Sequence, residues 1–221
     1  MWCWLGRVPF APAAALQERL RADLLSGTGP ETLLLLEHAP VITLGRSAQA
    51  GNILASQAEL ARHGIDVVRA TRGGDVTYHG PGQLVGYPIV RLRGGVVAHM
   101  TGMARAIAAV LKEYGIDARW RREAAGLWVG DAKICAFGVH VRGRATMHGF
   151  ALNVAADVSP FQLIVPCGIA GARTTAMAAL GVTPPPLQEL AAAIAERLGP
   201  EVGVTFTRDD ARPNCNVGAD H

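Results

Sequence analysis

The sequence predicts an α/β fold of the α+β kind, in which strands and helices alternate along one chain. Three observations predict it. Half of the 221 residues are apolar and 18% are charged, enough to bury a sizeable core. Apolar residues recur alternately at helical and at strand spacing, with no internal repeat and no Pro/Gly linker inside residues 1–200. The stretch 127–154 then reads as consecutive strands.

Taken in order, residues 12–27, PAAALQERLRADLLSG, place Leu16, Leu20 and Leu24 four apart with Gly27 beyond, which is an amphipathic helix and its stop. TLLLLEH (32–38) and VITLGR (41–46) are two strands around a turn at Ala39-Pro40. Ser56 with Glu59 is a capping-box pair that opens a helix over SQAELARHG, ended by Gly64. IDVVRA (65–70) is a strand feeding the glycine-rich RGGDVTYHGPGQ of residues 72–83. LVGYPIV (84–90) is the next strand, and 97–114 has the apolar spacing of a long helix. LWVG, KICAFGVHV and TMHGFALNV follow as strands, the last two joined at RGR as a hairpin with one buried face. After the loop VPCGIAGA (165–172) come a short helix near 174–180, a helix over LQELAAAIAERLG (187–199) and a short strand VGVTF (202–206). The polar tail 208–221 contains Pro and Gly and is expected to be disordered, leaving one domain over 1–207.

Composition narrows the partners. The formal charge is +3 and the basic residues are scattered, so nucleic acid is not expected, while a mild basic bias suits an acidic protein partner. Nothing reads as a membrane span, and MWCWLGRVPFAPAAA lacks a positive region ahead of an apolar one, so a cytoplasmic protein is expected. The cysteines at 3, 135, 167 and 215 have neither C-x-x-C nor zinc-type Cys/His spacing and are expected to be free thiols, with no metal bound. His140 and His148 are expected on neighbouring strands in structural roles.

The chemistry concentrates in three places. RGGDVTYHGPGQ is neither a P-loop, lacking G-K-[ST], nor a G-x-G-x-x-G dinucleotide loop. Its four glycines stand among Arg72, Thr77, Tyr78, His79 and Gln83, a set that lets a ligand approach backbone and hydrogen-bonding groups together. The second place is Lys133. The chain has 19 arginines but only two lysines, and a guanidinium cannot release its proton whereas an ammonium can. Lys112 reads as a solvated helix residue; Lys133 opens an apolar strand that should bury part of its stem, and burial favours a neutral amine. The third is Cys167, held out of regular structure between Pro166 and Gly168. Lys133 beside Cys167 would make a nucleophile with a proton shuttle. Cys135 is the rival nucleophile, placed by period two on the face of Lys133, and a His79 and Cys167 dyad is also open.

These motifs resemble one family, the octanoyltransferases of lipoate biosynthesis, also called lipoyl(octanoyl) transferases. The resemblance runs through LLLEH, VITLGR, RGGDVTYHGPGQLVGYPIV, GLWV, KICAFGV, HGFALNV and IVPCGI, over roughly residues 5–175. RGG-x-x-TYH-x-x-GQ-x-x-x-Y in order with K-I-x-x-x-G and P-C-G-I is long and specific. It implies a mixed β-sheet flanked by helices, related to the catalytic domain of biotin and lipoate protein ligases. It implies an acyltransferase that moves octanoyl from octanoyl-acyl carrier protein to a lysine of lipoyl domains, in 2-oxoacid dehydrogenase complexes and in the glycine cleavage H protein. No cofactor, no membrane and a monomer are expected.

Residue by residue, Cys167 matches the thioester nucleophile and Lys133 the partner that lowers the thiol pKa and handles protons. Arg72, Gly73, Gly74, Asp75, Val76, Thr77, Tyr78 and His79 match one wall of the substrate site. Ala136, Phe137 and Gly138, with Gly149, Phe150 and Ala151, match two strand segments that line the acyl chain. Six buried methylenes of an octanoyl chain are worth about 5 kcal/mol at ~0.8 kcal/mol each, enough to select by length. Thr174-Thr175-Ala176-Met177, where members often read V-T-S-L, and Pro40 displaced behind Ala39 depart from the pattern outside the catalytic matches. Three other readings predict different behaviour: an ATP-dependent lipoate or biotin ligase, a non-catalytic module for acyl carrier protein or lipoyl domains, and a thioesterase using the same cysteine.

Overall fold

The computed structural model describes residues 1–165 and 173–209. The chain begins with a strand, helix and strand. β1 (Trp2–Val8) and β2 (Thr32–His38) pair in parallel, so α1 (Phe10–Ser26) is the crossover between them. Leu16, Leu20 and Leu24 of α1 are buried, and Gly27 ends the helix at φ 81°, returning its N–H to Asp23 and Leu24 carbonyls. The pattern repeats on a smaller scale: β3 (Val41–Leu44) and β4 (Asp66–Arg69) are parallel across α2 (Gln57–Arg62). Ser56 caps α2, its side chain accepting from Glu59 N–H at 3.2 Å.

Then follow β5 (Val76–His79), β6 (Gln83–Ile89), α3 (Val96–Glu113), β7 (Arg119–Arg121), β8 (Gly126–Val129), β9 (Ala132–Arg142), β10 (Ala145–Asn153), β11 (Arg173–Thr174) and α4 (Leu187–Val202). The main sheet runs β1-β2-β6-β10-β9-β8-β7, with β11 parallel to β9, and the second sheet runs β4-β3-β5. Both are mixed. β9 and β10 form the predicted hairpin; its two-residue turn puts Gly143 at φ 59° and Arg144 at φ 66°, the twist that suits a tight hairpin.

Each sheet face has its own core. α3 and α4 cover one face of the main sheet with Met103, Ile107, Leu111, Ile194 and Leu198 against Leu127, Cys135 and Leu152. α1 covers part of the other face, over Leu34, Leu36, Val85 and Tyr87. The second sheet packs Ile42, Val76 and Tyr78 with Leu60 of α2 and Ile164. The remaining space, between α1, the second sheet and the uncovered part of the main sheet, is where the site lies.

Several expectations change. The strands at 32–38 and 41–46 belong to different sheets, so Ala39-Pro40 redirects the chain from one sheet to the other. Four residues of the glycine-rich loop form β5, and β1 and β7 are further strands. In place of a helix at 174–180 there are β11 and a 3₁₀ turn at Ala178–Leu180. VGVTF is not a strand: α4 runs through Val202 and Gly203 ends it at φ 72°. Arg208 bridges to Trp2, and Asp209 N–H donates to Trp2 O at 3.0 Å, so these two residues of the tail are tied to β1. The rest of the tail lies outside the described residues, as does Cys167. Cys135 is a buried free thiol, but Cys3 is disulfide-bonded, which corrects the expectation of free thiols at that position. Among the described residues no helix is long and apolar enough to cross a membrane.

Candidate active site

The loop before β5 is held by backbone bonds on both sides. Arg46 N–H donates to Arg72 O at 3.0 Å, Ser47 N–H to Gly74 O at 3.1 Å, and Gly73 N–H to Val139 O of β9 at 3.0 Å. This stitching turns Gly73 and Gly74 in between the two sheets, with Gly74 at φ 84°, a conformation open to glycine at no steric cost. Asp75 accepts from Gln49 N–H at 3.2 Å and from the Asn52 side chain. Arg72 is buried, and its guanidinium donates to Thr43 Oγ1 (3.1 and 2.8 Å), Thr43 O (2.6 Å) and Gly73 O (3.1 Å).

The loop roofs a cavity of about 450 Å³. It is lined by Arg72, Gly73, Gly74, Asp75, Val76, Thr77 and His79 on one side, and by Ala136, Phe137, Gly138, Gly149, Phe150 and Ala151 on the other. Thirteen of the fourteen substrate-site residues expected from sequence therefore meet in one cavity. Tyr78 is the exception. It sits in the core of the second sheet, edge-on to Phe161 with ring centroids 5.6 Å apart, because strand alternation turns it away from the cavity face of Thr77 and His79. Tyr78, expected with Arg72–His79 on one wall of the substrate site, is not among the residues that line the cavity.

Further lining residues were not among the expected site residues: Phe10, Ser47, Gln49, Asn52, Glu123, Ala124, Ala125, Tyr87 and His148. Tyr87 and His148 were within reach, being letters of GQ-x-x-x-Y and HGFALNV; Phe10 comes from the first turn of α1 and only the fold brings it here.

Four imidazoles crowd this region, and hydrogen bonds fix the tautomers of two. His38 Nδ1–H donates to Val8 O at 2.8 Å, which leaves Nε2 to accept from Tyr87 Oη at 2.7 Å. His79 Nδ1–H donates to Gln83 Oε1 at 2.7 Å; the amide orientation follows because Gln83 Nε2 donates to Asn153 Oδ1 at 2.8 Å. His148 Nε2 is 2.9 Å from Thr71 Oγ1, and its backbone N–H donates to Gln17 Oε1 at 2.8 Å, holding the residue at φ 57°. Burial lowers the His38 pKa to about 4 and, with Arg72 nearby, that of His148 to about 3. His79 is lowered well below its ordinary range by burial and then by His38. All three are neutral at pH 7. His140 and His148 do lie on paired strands, one register step apart.

From His79 the chain of bonds continues across the molecule. Asn153 Nδ2 donates to Thr175 O at 3.0 Å, and Thr175 N–H donates to Lys133 O at 2.9 Å. The segment after residue 172 is thus tied both to the cavity histidine and to the strand of Lys133, where Thr174 pairs with Lys133. The segment before residue 166 is tied to the cavity wall, Val165 N–H donating to Asn52 O at 2.8 Å.

Lys133 is 8% exposed. Lys133 is not among the lining residues, but its ammonium donates to O of Ala124, which is, at 2.8 Å, and lies 5.1 Å from the centre of the Trp128 ring, a cation–π distance. Gly126 leaves room for the stem: a Cβ there would come 2.8 Å from Lys133 Cε. Cys135 is different. The β8–β9 register shifts around Ile134, which interrupts the alternation on which a shared face with Lys133 was expected. Cys135 is fully buried in the α3/α4 core, and burial pushes its thiol pKa far up despite the nearby Lys133. A thiol so placed is an inert core residue.

Residues 9–199 match the model of the lipoyl protein ligase A/B catalytic domain. The chain belongs to this family. Among curated family members, the Octanoyltransferase of Solibacter usitatus is 48% identical over 94% of this chain and 90% of its own length. The Octanoyltransferase of Geobacter metallireducens is 44% identical over 87% of this chain and 89% of its own. Among solved structures, lipoate-protein ligase A bound with ATP superposes with a TM-score of 0.80 at 16% identity, covering 97% of this chain and 90% of that one. Biotin protein ligase from Aquifex aeolicus with biotin and ATP gives 0.57 at 12% identity, covering 91% and 70%. At these identities the structures establish the mixed-sheet fold shared with the ligases, not the reaction.

Proposed function

We propose that the protein is an octanoyltransferase, moving octanoyl from octanoyl-acyl carrier protein to a lysine of lipoyl domains by way of a thioester on Cys167. The observation that carries this reading is the cavity: the RGG loop and both strand segments expected to hold the acyl chain line it, and the ammonium of Lys133 is hydrogen-bonded to Ala124 O, a residue of its lining. The chain is also 48% identical to a protein curated as an octanoyltransferase. Val165 bonded to Asn52 and Thr174 paired with Lys133 tie both flanks of the Cys167 segment beside this cavity.

In the first step the Cys167 thiolate attacks the octanoyl thioester carbonyl, the carbonyl–sulfur bond to the carrier breaks, and Lys133 supplies the proton that the departing thiol takes up. In the second the acceptor lysine gives one proton to Lys133 and attacks the acyl-enzyme as the free amine; the tetrahedral adduct loses its second amine proton to solvent and expels Cys167 as thiolate, leaving the amide. An arginine at 133 can neither give nor take these protons. Ala136, Phe137 and Gly138, with Gly149, Phe150 and Ala151, give the acyl chain an uncharged wall opposite Arg72 and Asp75, which its methylenes need in order to gain from burial. The acceptors on this reading are the lipoyl domains of 2-oxoacid dehydrogenase complexes and the glycine cleavage H protein, and the enzyme acts as a cytoplasmic monomer with a single catalytic unit over 1–207.

The test compares two complete reactions on one lipoyl domain: octanoyl-acyl carrier protein without ATP, and free octanoate with ATP. Octanoylation in the first alone is expected. Modification only in the second identifies a ligase, and free octanoate released from the carrier with no modified domain identifies a thioesterase.

A further inference from the structure

The cavity runs across the strands of the main sheet. At one end are Ala124 and Ala125, in the turn before β8, where Lys133 Nζ donates to Ala124 O. At the other, beyond β9 and β10, are Tyr87 of β6 and Phe10 of α1. From the β8 line to β6 is three strand spacings, about 14 Å at ~4.8 Å each. Subtracting the contact radius of a wall atom at either end, roughly 2 Å, leaves about 10 Å of free length. An eight-carbon chain, zigzagging through bonds of roughly 1.5 Å, is about 9 Å long when extended.

The far end is a wall of rings that support one another. Phe10 stacks parallel to His148 at 6.4 Å between centroids and lies 5.4 Å from His38. Tyr87 stands edge-on to His148 at 5.9 Å and is bonded to His38, which is itself bonded to Val8. Tyr87 also packs in the core that α1 and β2 share, with Leu16, Leu20, Leu34 and Leu36. Of the wall's members, Phe10 makes no side-chain hydrogen bond and is held by packing alone, so shortening it opens space without leaving a polar group unpaired.

We infer that Phe10, Tyr87 and His148 form the stop against which the acyl methyl end rests, and that Phe10 sets the chain length the enzyme accepts. The inference rests on the octanoyl-transfer reading. It gives the N-terminal turn of α1 a role in specificity although it contributes nothing to the reacting atoms.

The experiment measures initial rates of transfer to a lipoyl domain from acyl-carrier-protein thioesters of six to fourteen carbons, for wild type, Phe10→Ala and Phe10→Trp, each verified as folded by its thermal transition. Wild type should peak at eight carbons. Phe10→Ala should move the optimum to ten or twelve, lowering the octanoyl-to-decanoyl rate ratio by roughly tenfold or more, the size expected for room for two further methylenes. Phe10→Trp should move the optimum to six and serves alone if the alanine variant does not fold. Variants that slow every donor by one common factor, with the optimum still at eight, overturn the assignment of the ruler while leaving the transfer reading intact. A wild type that transfers from none of these donors removes that reading and this inference with it.

Discussion

Lys133 and Cys135 are two residues apart on β9 and should respond oppositely to substitution. Lys133→Arg keeps a cation over Trp128 but cannot exchange its proton, so transfer should fall by about 10²- to 10⁴-fold while the folded fraction is unchanged. A rate within twofold of wild type would remove Lys133 from proton transfer. Cys135→Ala removes a small buried group and should cost about 1 kcal/mol in denaturant unfolding with no loss of turnover; loss of the acyl-enzyme in that variant would make Cys135 the nucleophile. At this scale the sequence was most legible where it names chemistry. Lys133 stood out because an arginine-rich chain keeps so few lysines. Tyr78 was misread because a motif letter does not say which face of a strand it occupies, and β5 is hidden behind two glycines that read as loop. Phe10 was invisible, since any aromatic residue at the start of a helix looks like core.

At the scale of elements, the bonds from His79 through Gln83 and Asn153 to Thr175 join β5, β6 and β10 to the segment beside Lys133. Replacing Asn153 by Ala takes a donor from Thr175 O and leaves Gln83 Nε2 with Tyr78 O at 3.3 Å, at a cost of about 1–3 kcal/mol for the buried hydrogen bonding lost. Because it loosens that segment and not the cavity walls, kcat should fall well before KM for the octanoyl donor rises. Equal changes in the two would reduce Asn153 to a structural residue. The helices α1 to α4 and the β9–β10 hairpin were readable from spacing, caps and the RGR turn, since each is decided by local chemistry; the helix expected at 174–180 was not borne out. β1 and β7 were not, because they are the outer strands of the path and depend on partners distant in sequence. VGVTF shows the converse error: its alternation is genuine, but among the described residues no strand pairs with it, and Phe206 packs against the α3/α4 core instead.

For the whole molecule the buried imidazoles set a pH limit. His38, His79, His99 and His148 all have folded pKa values lowered, chiefly by burial, below the ordinary 6.5. The unfolded chain therefore binds more protons between pH 6.5 and the lowered values, of about 4 for His38 and His99 and 3 for His148, so stability rises with pH through that window. Their contribution is fully present above pH 6.5 and is lost as the pH falls, by up to about 1.4 kcal/mol per pH unit for each ring. The unfolding midpoint should drop steeply between pH 6.5 and 4.5, and His99→Gln, remote from the cavity, should flatten the slope without changing transfer; an unchanged slope would mean that His99 does not titrate differently on folding. The central claim is the covalent intermediate, and intact-protein mass spectrometry after mixing with octanoyl-acyl carrier protein tests it most directly. Wild type should gain one octanoyl group, removable by hydroxylamine, and Cys167→Ala none; an octanoyl adduct on Cys167→Ala, or none on a wild type that still modifies the lipoyl domain, would contradict it.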